Sequence, residues 1–81
     1  MIFPVQIRAA RVLLGLSQEE LAQRASLGLG TIKRIEAARG ELRGTVQSLY
    51  RIQSALEQAG IIFIEQNDDR GPGVRLRTPF T

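Results

Sequence analysis

The chain has 81 residues, 43% of them hydrophobic, and a formal net charge of +3. A chain of this length predicts one small domain whose core alone is marginal, so we expect it to form oligomers. It contains no cysteine and no histidine, which excludes disulfides, thiolate chemistry and nearly every transition-metal site. No run of about 18 apolar residues could span a membrane, and the first residues lack the features of a signal peptide, so we expect a cytoplasmic protein with no membrane partner.

The positive charge is unevenly distributed along the chain. Residues 1–56 contain eight Arg or Lys and four Glu, whereas residues 57–81 contain three Arg and four acidic residues. A basic excess in one region favours phosphate binding there. On charge alone, an ordinary solvated surface remains an equally acceptable interpretation.

The first predicted helix begins at Pro4, because the missing N–H of proline is no loss in the first turn of a helix. It continues over residues 5–14 and places Ile7, Ala10 and Leu14 along one apolar stripe. Gly15 then provides a left-handed C-cap. We therefore expect a short helix with one face in the core.

A second helix is predicted to begin at Gln18. Ser17 and Glu20 have the spacing of a capping box, in which the serine hydroxyl accepts a free helix amide and the glutamate accepts the serine N–H. The apolar positions of this helix form one narrow stripe, at Leu21, Ala22 and Ala25. The pattern ends at residues 26–28, which predicts a tight turn.

A third helix follows at once, with Gly28 as its N-cap. Ile32 and Ile35 are three residues apart and therefore face the same core as Leu21. Four residues are left facing outward, and they are Leu29, Gly30, Lys33 and Arg34. This outward face is our candidate for the functional surface.

The two short helices resemble the helix-turn-helix of the Cro/CI phage repressors, the XRE family. That motif has glutamine at its first position, leucine and a small residue at the fourth and fifth, and apolar residues at the tenth, fifteenth and eighteenth. The matching residues here are Gln18, Leu21, Ala22, Leu27, Ile32 and Ile35. One residue departs from the motif: Ser26 replaces the usual turn glycine, and it must adopt a left-handed conformation at a cost of roughly 1 kcal/mol.

The resemblance implies an ion pair between Arg11 and Glu36 that braces the first helix against the third. The alternative is two unrelated surface charges. A buried pair of this kind would cost on the order of 3–5 kcal/mol to break by removing one partner.

The resemblance also implies which residues contact double-stranded DNA. The implied base contacts are Leu29, Gly30, Lys33 and Arg34, and the implied phosphate contacts are Gln18, Arg8, Thr31, Arg39 and Arg43. Arg34 is the strongest candidate for a base contact, bidentate to guanine. Leu29 offers only apolar contact with a thymine methyl group, Gly30 has no side chain with which to contact a base, and Arg39 and Arg43 could instead be solvated loop residues.

After a loop from residue 38 to 44, Thr45 is predicted to cap a fourth helix that runs to about Ala59 and ends at Gly60. Its core-facing stripe is Val46, Leu49, Ile52, Leu56 and Ala59. This helix should close a bundle of four.

The last part of the chain predicts a β-hairpin. Residues 61–64 are a continuous β-prone run, residues 67–73 are rich in turn formers, and Val74 and Leu76 then alternate with two arginines. A lone hairpin is barely stable in water, so its apolar face must pack on the bundle or against a second copy. Pairing of two hairpins across a two-fold axis would form a homodimer. Its interface would contain Ile62, Ile64, Val74 and Leu76.

The expected fold is mainly α, a four-helix λ-repressor-like bundle with a C-terminal β-hairpin. Residues 1–60 form the helix-turn-helix DNA-binding domain, and residues 61–81 form the hairpin and tail, a candidate dimerisation element. We expect no enzyme, cofactor or metal site, because the only lysine is on the outward face and the adjacent Asp68 and Asp69 are turn residues without metal-ligand spacing.

The sequence leaves two functions open. In the first, the protein is a sequence-specific transcriptional regulator, a dimeric repressor of a palindromic operator. In the second, it is a protein-interaction module, antitoxin-like or an anti-activator subunit, with weak or secondary DNA binding and a protein partner of unknown identity. The few base-reading side chains on the outward face favour the second function, and the helix-turn-helix spacing favours the first.

Overall fold

The computed structural model describes residues 2–39 and 45–80. In these ranges the elements are α1 (Pro4–Leu14), α2 (Gln18–Ala25), α3 (Leu29–Ala37), α4 (Val46–Gln58), β1 (Ile61–Ile64) and β2 (Gly73–Leu76). The predicted fold class, a mainly α four-helix bundle with a small C-terminal hairpin, is confirmed. Arg43 and the rest of the segment from residue 40 to 44 lie outside the described residues.

The capping signals act as the sequence indicates. The Glu20 backbone N–H donates to Ser17 Oγ at 3.0 Å, and the Ser17 N–H donates to Glu20 Oε1 at 2.9 Å. Gly15 ends α1 in the left-handed region, with φ of 71°. These caps fix the start of α2 and the end of α1.

The corner between α2 and α3 is formed by Ser26 in a left-handed conformation, with φ of 57°. The N–H groups of Ser26 and Leu27 donate to the carbonyls of Gln23 and Ala22 at 3.2 and 2.9 Å, which satisfies the end of α2. Gly28 then serves as the N-cap of α3. The two helices are therefore separate and meet across a tight turn.

All four helices and β1 contribute to one hydrophobic core. Its buried members are Ile2, Ile7, Ala10, Leu21, Ala22, Ala25, Ile32, Ile35, Ile52, Ala55, Leu56 and Ile61. One prediction for α4 is wrong: Val46 is 86% exposed and does not belong to the core. The buried face of α4 includes Ala55, which the predicted stripe omitted, because α2 and β1 both pack on this helix.

The hairpin packs on the bundle, which is one of the two arrangements left open above. The strands are antiparallel, with Ile61 opposite Leu76 and Phe63 opposite Val74. Ile61 is buried in the core, and the other three side chains pack against it. The inner face of the hairpin is therefore covered by its own chain.

Gln6 joins the start of α1 to the far end of the hairpin. This side chain is almost fully buried. Its Nε2 donates to the carbonyls of Ile64 and Gly73 at 3.2 and 2.9 Å, and its Oε1 accepts the N–H of Phe3 at 2.7 Å. One amide thus caps a helix and holds both strands.

Candidate nucleic-acid interface

Helix α3 has one face in the core and one in solvent. Ile32 and Ile35 are buried between the other helices, whereas Gly30, Lys33 and Arg34 are exposed. Leu29 and Thr31 are half-exposed at the start of the helix. The four residues proposed as base contacts therefore share a surface that is accessible from outside.

The position of α3 is fixed by a buried carboxylate at its C-terminal end. Glu36 accepts two hydrogen bonds from Arg11, from Nε to Oε2 at 2.9 Å and from Nη2 to Oε1 at 3.1 Å. Arg11 also donates to the carbonyl of Leu16 at 3.0 Å. This is the ion pair that the resemblance implies, and its bidentate geometry ties α1 to α3.

Two of the proposed phosphate contacts also bind Glu36. Gln18 Nε2 donates to Glu36 Oε1 at 3.1 Å, and Arg8 Nη1 donates to the Glu36 backbone carbonyl. Both side chains are half-buried. The Gln18 amide keeps one more N–H, and the Arg8 guanidinium keeps several. These donors could reach a phosphate.

The other proposed phosphate contacts are less constrained. Arg39 is exposed, and it lines an open groove at the end of α3 together with Arg8, Phe3 and Pro72. Arg43 lies outside the described residues. Arg39 and Arg8 thus contribute two positive charges beside the C-terminal end of α3.

Thr31 is engaged by a neighbour on the same helix. Arg34 Nη2 donates to Thr31 Oγ1 at 3.3 Å, one helical turn back along α3. A proposed base contact and a proposed phosphate contact are therefore linked in the structure.

The structure divides the four proposed dimer residues between the two faces of the hairpin. Val74 and Leu76 pack against the core of their own chain. Ile62 and Ile64 lie on the opposite face and are 42% and 44% exposed. Of the four proposed dimer residues, these two isoleucines can therefore meet a second copy without disturbing the bundle.

The negative charge of Glu20 at the start of α2 is stabilised by neighbouring residues. The backbone N–H of Ser17 holds the pKa of the Glu20 carboxyl below its ordinary value, with smaller contributions from the Ser17 side chain and from Arg24, while desolvation acts in the opposite direction. Glu20 therefore remains an anion at neutral pH, which also suits the positive end of the helix.

The role of Gln6 was not predicted from the sequence. A glutamine at the third position of a helix is half of a capping box, and that signal was present three residues after Phe3. Its bonds to the hairpin carbonyls have no local sequence signal, because their acceptors are 58 and 67 residues away.

The helix-turn-helix family model of the XRE, Cro/CI type matches residues 7–57. The chain belongs to this family, and it is a transcription regulator that binds double-stranded DNA. The match extends from α1 almost to the end of α4 and does not include the hairpin. A search of curated proteins found no match. Within the described ranges, no helix is long and apolar enough to cross a membrane.

Proposed function

We propose that the protein is a sequence-specific repressor that binds a palindromic operator as a homodimer in the cytoplasm. The observation that carries this proposal is the division of α3, with Ile32 and Ile35 buried and Lys33 and Arg34 exposed. In the helix-turn-helix geometry the second helix lies in the major groove, where an arginine binds guanine O6 and N7.

Phosphate contacts would hold this helix in register. Gln18 begins α2, and Arg8 and Arg39 lie near the end of α3. Each phosphate that an arginine neutralises releases condensed counterions, so binding weakens steeply as salt is raised.

The dimer is proposed to form through the outer face of the hairpin. Ile62 and Ile64 are exposed there beside Arg75 and Gly73, their partners in the register. A dimer doubles the number of base contacts and requires half-sites about one helical turn apart. This compensates for the small number of reading side chains on each copy.

The test is selection of bound sites from random double-stranded DNA, followed by titration of the selected site and a scrambled duplex at 50 and 200 mM salt. We expect a specific affinity at least about 10³-fold above the scrambled duplex, with a steep loss at the higher salt. Arg34→Ala should remove much of the preference while binding to the scrambled duplex changes little. Equal affinity for both duplexes would overturn the proposal.

A second candidate is the protein-interaction module, favoured by exposed apolar side chains on the outside of α1. Val5 and Val12 are more than half exposed, and Leu13 lies beside them. A helix that is apolar on both faces is commonly covered by another surface. The same titration separates the two candidates, because a module of this kind would bind the selected and scrambled duplexes alike.

A further inference from the structure

The side chain of Arg34 is directed toward the start of α3. Arg34 lies in the last turn of this helix, and its Nη2 donates to Thr31 Oγ1 at 3.3 Å. Helical side chains tilt toward the N-terminus, so residues three apart are neighbours on the surface. The threonine hydroxyl thus holds the guanidinium over the first turns of the helix.

Gly30 lies beside the guanidinium of Arg34 and has no side chain to cover the surface there. A Cβ at this position would meet only Arg34 Nη1, at 3.7 Å, an ordinary contact distance. Gly30 does not have a positive φ, so its backbone conformation does not require glycine. The value of glycine here is therefore the open surface beside Arg34.

This direction matters for base recognition. The N-terminal residues of a recognition helix are the ones that reach base edges in the major groove. An arginine near the C-terminal end would otherwise extend freely toward the phosphates. The bond to Thr31 brings its donors to the bases and leaves four of its five N–H groups available, two of which suffice for guanine.

We propose that Gly30, Thr31 and Arg34 form one unit that recognises a single guanine, in which Arg34 contacts the base, Thr31 is a positioning residue and Gly30 provides room for the base edge. This inference rests on the proposed sequence-specific DNA binding and deepens it. The bond made in the free protein reduces the loss of side-chain freedom on binding, which is how a positioning residue adds affinity.

The test uses Thr31→Val, which keeps the shape and removes the hydroxyl, and Thr31→Ser, which keeps the hydroxyl. Affinities are measured for the selected site, for sites in which each guanine is replaced in turn, and for a scrambled duplex. We expect Arg34→Ala to lose about tenfold or more of the preference at one guanine. Thr31→Val should lose about threefold to tenfold at the same guanine and have no further effect when combined with Arg34→Ala. Thr31→Ser should retain the preference.

Substitutions at Gly30 test whether recognition needs the open surface beside Arg34. Gly30→Ala is the folding control, because its Cβ would meet only Arg34 Nη1, at 3.7 Å. Gly30→Leu should fold equally well, as judged by circular dichroism and thermal midpoint, but lose the preference to the extent that Arg34→Ala does. Retention of the preference by the leucine variant would contradict the role of the space.

The remaining outcomes separate this inference from the proposed function. If Thr31→Val weakens binding to all duplexes equally, Thr31 is a phosphate contact and the unit does not exist. Additive effects of Thr31→Val and Arg34→Ala would also overturn it, while the proposed function stands. A wild-type protein that selects no sequence at all overturns both.

Discussion

Glu36 joins more parts of the interface than any other single residue described above. It is 2% exposed, its carboxylate accepts hydrogen bonds from Arg11 and Gln18, and its carbonyl accepts one from Arg8. A buried carboxylate is tolerated only when its oxygens are paired. The Glu36 carboxylate therefore helps to hold α3 in register against α1 and α2, together with the buried Ile32 and Ile35.

Removing the positive partner of Glu36 should be costly. We expect Arg11→Met to lower the free energy of unfolding by on the order of 3 kcal/mol, because it leaves a buried carboxylate without its cation. Urea denaturation measures the change, with Arg75→Met as the control at an exposed arginine. Replacing both Arg11 and Glu36 by methionine should recover much of the stability. A loss below about 0.5 kcal/mol for Arg11→Met would show that water compensates the charge.

Truncation of Leu21 tests the core beneath the corner. Leu21 is fully buried, so Leu21→Ala should lower the free energy of unfolding by roughly 2–5 kcal/mol through lost burial and a cavity. The matched control is Leu13→Ala, at a leucine that is partly exposed on α1. Equal effects in the two variants would contradict the position of Leu21.

The individual contacts were only partly predictable from sequence. The pairing of Arg11 with Glu36 follows from the resemblance, and the ion pair is present. The bonds of Gln18 to Glu36 and of Arg34 to Thr31 did not follow, because a spacing pattern identifies the face of a side chain and not its partner. Their roles toward DNA remain predictions.

At the scale of elements, the start of α2 should depend on pH. The pKa of Glu20 is lowered in the folded protein, which means that its charged form stabilises the folded state. This contribution is fully present above the ordinary pKa of 4.5, and it is lost as the pH falls through the lowered pKa. Glu20→Gln should therefore be less stable than wild type at pH 7, and the difference should narrow in acid. Unfolding curves from pH 7 to pH 3 measure it. Glu19→Gln, outside the capping box, serves as the control. A stability difference between Glu20→Gln and wild type that stays constant from pH 7 to pH 3 would contradict the expectation.

The hairpin should depend on the amide of Gln6. Gln6→Leu removes both hydrogen bonds to the strands and the one to Phe3, and we expect a loss of roughly 1–3 kcal/mol in the free energy of unfolding. Amide hydrogen exchange should show the greatest loss of protection in β1 and β2. Gln47→Leu, at an exposed position of α4, is the control. Unchanged protection in the strands would show that apolar contact alone holds the hairpin.

Element boundaries were largely predictable because caps carry strong local signals. Ser17, Gly15 and Thr45 mark helix ends both in the sequence and in the structure. The buried face was harder to predict where apolar residues are continuous. All four residues of β1 are apolar, so alternation could not show that Ile61 and Phe63 face inward and Ile62 outward. The prediction that Val46 faces the core was wrong for a related reason, because the apolar stripe of α4 extends one turn beyond the surface that covers it.

For the whole molecule, the proposed dimer depends on the outer face of the hairpin. Ile62→Asp places a charge at the centre of that face, so we expect the protein to sediment as a monomer and to bind its selected site more weakly. Thr78→Asp, at an exposed position after β2 and outside the groove that Arg8 and Arg39 line, adds the same charge as a control. A sedimentation profile that is unchanged by Ile62→Asp would move the interface elsewhere. The small size of the chain predicts that it needs a surface for oligomerisation. The sequence does not show which face of the hairpin the bundle leaves exposed.

The amide of Gln6 also has a consequence for the order of events during synthesis. When α1 emerges from the ribosome, the strands that Gln6 binds have not yet been made, because Gly73 follows 67 residues later. Helix α1 can bury its apolar inner stripe against α3 and α4, but the Gln6 amide has no strand carbonyls to bind until β1 and β2 have been made. The junction between α1 and the hairpin is therefore a late step of folding, because its hydrogen bonds join residues that are 58 and 67 positions apart.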